Sequence, residues 1–261
     1  METENLHNQN NLDDFVCLDI FDDDNFLTKR PTCDRCKRPT TVCWCPFLPC
    51  EPVKVETNLF ILQHPFEESR CLRTVPILQN CISPEKCQVI IGKRFNYLRN
   101  PELKPVFDLP TTLLLYPGED AIDITALPTD TSYTLVLLDG TWAQAKGIYS
   151  QNAILKTLKK VQIKIEEKSK YVIRTQPSDT SLSTLETAAL AISTLEKKPH
   201  IYEVLTGPLV ALCNFQIQHG ASEHQSKEFR VENGLWPKPL RRSVQKRLAE
   251  KWEKEKSKSN S

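Results

Sequence analysis

The stretch LVLLDGTWAQAK, residues 135–146, is an apolar run stopped by Asp139-Gly140 and followed at once by a helix-compatible segment. An apolar run of that length suits a strand buried on both faces, and a helix directly behind it makes an α/β crossover. A carboxylate at the carboxyl end of such a strand lies where open α/β sheets bind their ligands. Thr141 can cap the helix, and Trp142 offers a large flat face beside the carboxylate. The same spacing also reads as a plain capped turn with Trp142 in the core.

Working outward, TNLFILQHP gives a strand at Asn58–Gln63, CQVIIGKRF a strand at 88–91, and TTLLLYPGED a third that ends at Tyr116-Pro117-Gly118. The helix behind Asp139 is expected over 142–158, with short strands near 161–165 and 171–174. Leu182, Leu185, Ala189, Ile192 and Leu195 trace one helical face. A further helix spans 201–218, interrupted at Gly207-Pro208. A helix is also expected around 67–72, with Pro76 breaking it or opening a second one. Strands alternating with helices predict an α/β fold with a mainly parallel sheet covered on both faces. The strand ends Gln63-His64-Pro65, Tyr116-Pro117-Gly118 and Asp139-Gly140-Thr141 then converge on one rim, which makes a pocket.

The 261 residues suffice for one sizeable core plus a small appended module. A formal charge of +1 conceals an acidic segment over 1–28 and a basic one over 238–258. The chain is expected to divide into an acidic, disordered arm (1–30), a cysteine module (31–50), an α/β domain (51–225) and a basic tail (226–261). The tail, with Arg241, Arg242, Lys246 and Arg247, suits a polyanionic partner, and Val244, Leu248 and Trp252 give it a narrow apolar stripe. A solvated helix accounts equally for that pattern. Neither a signal peptide nor a membrane-spanning run is visible, so no membrane partner is expected and the location reads as cytoplasmic or nuclear.

Cys33, Cys36, Cys43 and Cys45 form a C-x2-C followed by a C-x-C. Two close pairs can fold over one tetrahedral ion, and a block too short to bury a core would draw its folding energy from Zn²⁺. A closed four-thiolate site has no vacancy for catalysis, so the expected zinc is structural; a redox C-x-x-C or unligated thiols are the other readings of the block. Cys17, Cys50, Cys71, Cys81, Cys87 and Cys213 are scattered and read as buried small hydrophobes.

The segments CDRCKRPTTVCWCPFLP, LQHPFEESRCLRTVPIL, LLYPG, LLDGTWAQAK, YVIRTQP, LSTLETAALAIS and LCNFQIQHGA occur in an order that resembles the DTW-domain family over residues 30–240. This chain has the Asp-x-Thr-Trp form, Asp139-Gly140-Thr141-Trp142, of the family's name motif. The resemblance implies a SPOUT-like fold with a carboxyl-terminal trefoil knot. It also implies transfer of the 3-amino-3-carboxypropyl group of S-adenosylmethionine to N3 of a uridine in the tRNA D-loop, at position 20a or 20b, with release of methylthioadenosine.

Under that resemblance Asp139, Thr141 and Trp142 are the candidate catalytic residues. Asp139 accepts the N3 proton or binds the donor's ammonium group; Trp142 packs on the adenosyl or sulfonium portion, where a desolvated cation–π contact is worth about 1–2 kcal/mol. Tyr116, Pro117, Gly118, Leu138, Gly140, Ser183, Thr184 and Glu186 are expected to contact the donor, although Ser183 and Glu186 also fit a capping box. Arg70 and Arg73, on one helix face, are candidates for phosphate or the donor carboxylate, and solvated surface arginines fit the pattern as well. His64 is read as structural or RNA-contacting, and Arg174 and Gln176 as weaker candidates. A methyltransferase using the same donor, or a non-enzymatic zinc-containing RNA-binding protein, remain alternatives, and oligomeric state is open.

Overall fold

Apolar runs at the expected places become strands of a six-stranded sheet in a computed structural model that describes residues 30–165 and 168–240. The acidic arm up to residue 29 lies outside the described residues, as do Arg241, Arg242, Lys246 and Arg247. The strands are β1 (Asn58–Gln63), β2 (Cys87–Ile91), β3 (Thr112–Leu115), β4 (Ile122–Asp123), β5 (Thr134–Asp139) and β6 (Lys159–Gln162). Their order is β2-β1-β5-β3-β6-β4, and every neighbouring pair is parallel.

Alternation along each strand sorts side chains into two cores. Leu59, Ile61, Leu113, Leu135 and Leu137 meet one layer: α1 (Val75–Cys81), α5 (Thr184–Leu195) and α6 (His200–Gln218). Phe60, Leu62, Leu114 and Val136 meet the other: α2 (Leu103–Phe107), α3 (Trp142–Gln151) and α4 (Ala153–Lys156). The last helix is α7 (Lys227–Glu232). Such two-sided burial contributes about 1.5–3 kcal/mol per large aliphatic side chain. Among the described residues no helix is long and apolar enough to cross a membrane.

Four secondary-structure expectations need correction. The helix expected over 142–158 breaks at Asn152, which is 2% exposed. Its Oδ1 accepts from Phe95 N (2.6 Å), while Nδ2 donates to the Lys93 and Ile148 carbonyls (3.0 and 2.7 Å). A buried amide so engaged fixes the backbone around itself. No helix forms over 67–72; a short 3-10 turn, Pro65–Glu67, is followed by irregular chain until α1. Pro76 sits in the first turn of α1, where its missing N–H costs nothing, so it opens that helix rather than ending an earlier one. No strand forms at 171–174. The backbone hydrogen bonds there go elsewhere: Lys170 N donates to Glu186 Oε1 (2.6 Å), Tyr171 N to Ser169 Oγ (3.1 Å), and His224 N to the Val172 carbonyl (2.7 Å).

Finally, α6 runs unbroken through Gly207-Pro208. Leu205, Leu209 and Leu212 on that helix are at most 1% exposed, and their burial exceeds the roughly 3 kcal/mol that an interior proline costs.

Cys81, Cys87 and Cys213 are buried as expected, and desolvation pushes their thiols up to about 12, 12 and 11. Cys50 and Cys71 are instead exposed, because they sit in irregular connections that no helix or strand covers. Cys17 lies outside the described residues.

Candidate functional site

The parallel register of β1 and β5 sets Gln63 opposite Asp139 at the carboxyl rim. Gln63 Nε2 donates to Asp139 Oδ2 at 2.8 Å, and Thr184 Oγ1 donates to Oδ1 at 2.6 Å. The backbone joins in, with His64 N donating to the Asp139 carbonyl at 2.9 Å. Asp139 is 6% exposed and Gln63 4%. A carboxylate has about four acceptor positions, so two neutral donors fix its orientation and leave capacity for a ligand.

Two helices begin at this carboxylate. Thr141 caps α3: its Oγ1 accepts from Gln144 N (3.3 Å), while Thr141 N donates to Gln144 Oε1 (2.7 Å). Ser183 caps α5 in the same manner with Glu186. The positive ends of both helix dipoles therefore lie beside Asp139, a setting that favours negative charge. Gly140 joins strand to helix with φ +155°, and a Cβ there would stand 3.0 Å from Gln144 and 3.3 Å from His64 Cβ. Only glycine meets that turn comfortably. Trp142, the first residue of α3, is 53% exposed, so the reading of a core tryptophan is overturned: the start of the helix points it into solvent.

Glu186 is fully buried, and its carboxylate accepts from Ser183 N and Oγ, Ser169 Oγ and Lys170 N. It ties the start of α5 to the 169–170 loop. Leu138 is half-buried near the end of β5, and Pro117 is exposed beyond β3. Tyr116 stacks on Tyr149 of α3 (4.4 Å between centroids, 18° between planes), and burial raises its phenol. Next to that pair Lys160 forms an ion pair with Asp120, and a Cβ on Gly118 would lie 3.1 Å from the Asp120 carboxylate.

His64 is 7% exposed; its Nδ1 accepts from Phe66 N (3.2 Å), which leaves the proton of the neutral ring on Nε2. Desolvation, with Lys93 and Arg70 nearby, lowers its pKa. Arg70 Nε lies 3.3 Å from the largely buried Glu67 carboxylate. With no helix over 67–72, Arg70 and Arg73 do not share a helical face. Arg174 and Gln176 are half-buried in the loop before α5, where the Gln176 carbonyl accepts from Lys227 N. Gln63 is the site residue that sequence reasoning passed over. Its signal is a polar residue ending an apolar strand, which acquires meaning only once β1 and β5 are known to be neighbours.

At the amino end, the sulfurs of Cys33, Cys36, Cys43 and Cys45 all lie within 4.8 Å of one another. Cys33–Cys45 and Cys36–Cys43 separations of 3.7 and 3.6 Å approach the edge of about 3.8 Å expected for a tetrahedral Zn–thiolate shell. Backbone N–H groups of Cys36 and Arg35 lower the Cys33 thiol to about 6, whereas burial raises the Cys43 and Cys45 thiols. The donor set thus fits a metal. Lys37, at φ 58°, makes the turn between the pairs, and Trp44 and Leu48 are buried in the main core rather than in one of their own.

A family model described as DTW domain matches residues 30–217. The tRNA-uridine aminocarboxypropyltransferase 2 of Mus musculus is 49% identical over 221 residues, covering 84% of this chain and 74% of that protein. The Drosophila melanogaster protein of the same name is 46% identical over 222 residues, covering 84% and 88%. A tRNA-uridine aminocarboxypropyltransferase A of Arabidopsis thaliana is 21% identical over 222 residues, covering 73% and 83%. No solved structure matches the chain.

Proposed function

The chain belongs to the DTW domain family, and from that membership we propose that it is a tRNA-uridine aminocarboxypropyltransferase. The substrate is a D-loop uridine, at position 20a or 20b, and the donor is S-adenosylmethionine. The observation that carries the reading is Asp139, held by Gln63 and Thr184 where two helices begin and flanked by the exposed Trp142. We also assign the SPOUT-like class with a carboxyl-terminal knot from the family resemblance; the all-parallel sheet with β5 inserted between β1 and β3 supports the parallel α/β part of that assignment.

In the reaction, N3 of uridine attacks the aminocarboxypropyl carbon bonded to sulfur. The C–S bond breaks, its electron pair stays on sulfur, and neutral methylthioadenosine leaves. The N3 proton goes to a base. A sulfonium already carries a good leaving group, so the protein's work is alignment and proton removal. Asp139 either takes that proton or pairs with the donor's ammonium group. The starts of α3 and α5 suit the donor carboxylate, and Trp142 offers a face to the sulfonium. Thr141, Gly140 and Leu138 shape the turn; Tyr116, Pro117 and Gly118 border it from β3. Ser183 and Glu186 position Thr184. The four cysteines hold structural zinc, and the basic residues from 241 onward bind tRNA backbone in the cytoplasm or nucleus.

Incubation with S-adenosylmethionine and unmodified tRNA, followed by nucleoside mass analysis, tests this. Aminocarboxypropyluridine and methylthioadenosine are expected. Methylated nucleoside with S-adenosylhomocysteine would make the protein a methyltransferase, and tRNA binding without either product would make it a non-enzymatic RNA-binding protein.

A further inference from the structure

Three observations converge on the same rim, one strand away from Asp139. The first is Phe66, 61% exposed on the turn that follows β1. Its ring is steadied by His64, edge-to-face at 5.0 Å between centroids, and by the Lys93 ammonium 4.5 Å from its centroid. With Trp142 it makes two exposed aromatics at the ends of adjacent strands.

The second is charge. Residues 86–101 carry four cations (Lys86, Lys93, Arg94 and Arg99) and no carboxylate. Lys93, Arg94 and Arg99 are exposed and form no ion pair among the described residues, whereas Lys104 is matched by Asp108. The two arginines of the cysteine block are differently placed: Arg35 is bound to Asn80, and Arg38 to the Val42 and Cys71 carbonyls.

The third is rigidity. Gly92 N donates to the Gln63 carbonyl (2.9 Å), Phe95 is 4% exposed, and Asn152 holds both Phe95 N and the Lys93 carbonyl. The backbone on either side of Lys93 and Arg94 is thus pinned to β1 and to Asn152 while their side chains stay in solvent.

We infer that Phe66, Lys93 and Arg94 form a tRNA-docking lip, in which Phe66 stacks on a nucleobase and the two cations hold neighbouring phosphates; this rests on the proposed tRNA-modifying activity. The chemistry is that of single-stranded RNA recognition, where aromatic faces take unstacked bases and cations track the backbone. A uridine whose N3 must react cannot remain paired, so an aromatic platform beside the carboxylate is the surface such a substrate requires.

The test compares wild type with Phe66→Ala, Phe66→Trp, Lys93→Gln/Arg94→Gln and, as a control on the opposite rim, Lys197→Gln. Unmodified tRNA is titrated over a range of salt, and melting temperature and S-adenosylmethionine binding are measured alongside. Phe66→Ala should weaken tRNA binding roughly 5- to 150-fold, and Phe66→Trp should retain it. The double variant should reduce the log–log salt slope by about 0.7–0.9 for each phosphate it no longer neutralises, with donor binding unchanged, while Lys197→Gln leaves the slope as it is. Wild-type affinity and slope in folded Phe66→Ala and double variants would overturn the lip while wild-type transfer upholds the activity. A wild type that binds tRNA through these residues but transfers nothing would overturn the activity and uphold the lip.

Discussion

Replacing Asp139 with asparagine separates chemistry from folding. The carboxylate accepts one hydrogen bond from Gln63 and one from Thr184. An asparagine oxygen can keep the Gln63 bond, and its amide can donate to a rotated Thr184 hydroxyl, so neither partner is stranded. The loss is the difference between charge-assisted and neutral bonds, about 1–1.5 kcal/mol in total. For a chain of this size that is a fall in melting temperature of roughly 2–6 °C. Transfer should fall far more, by about 10²–10⁴ if the group takes the proton. Steady-state assays with tRNA and donor, alongside thermal melts, supply both numbers. A loss confined to kcat identifies the base; a rise in KM for the donor identifies the ammonium partner. An Asp139→Asn protein that folds, binds tRNA and transfers within tenfold of wild type would refute the reasoning.

Cys36→Ser should lose bound zinc, measured by metal analysis, and open the Arg35–Lys37–Arg38 segment to trypsin while the sheet persists. Gly140→Ala should melt lower by several degrees and lose transfer, because its Cβ would press on Gln144 and His64 at φ +155°. The depressed His64 pKa means that the unfolded chain binds a proton the native chain refuses, so native stability falls as pH drops below about 6.5. In His64→Asn, whose side chain can still accept from Phe66 N, denaturant titrations across that window should lose this part of the slope. Truncation after Lys238 should weaken tRNA binding and flatten its salt dependence, with donor binding unchanged; an unaltered slope would remove the tail from the footprint.

The strands β1 and β5 are legible in the sequence because an apolar run needs no partner to declare itself. Asp139-Gly140-Thr141 is legible as a strand end for the same reason, and both capping boxes are written within four residues. The remainder depends on contacts that skip along the chain. Asn152 breaks a helix because Lys93 and Phe95 are there to be bound, and periodicity cannot register that. Tyr171-Val172-Ile173 has the composition of a strand, yet Glu186, Ser169 Oγ and His224 N take up the backbone groups of Lys170, Tyr171 and Val172 that a ladder would need. Pro208 reads as a stop until the buried leucines around it are weighed. Arg70 illustrates the opposite error: a charge counted as available is paired with the buried Glu67.

The strand order has a consequence for synthesis. β5 lies between β1 and β3, although both precede it in the chain. Until residue 139 has emerged from the ribosome, β1 and β3 each present an open apolar edge, and such edges invite pairing with other chains. Fragments that stop before Thr134 should therefore aggregate, and the full chain should fold at the slow pace of long-range strand pairing. The strand that closes both edges is the one that ends in Asp139.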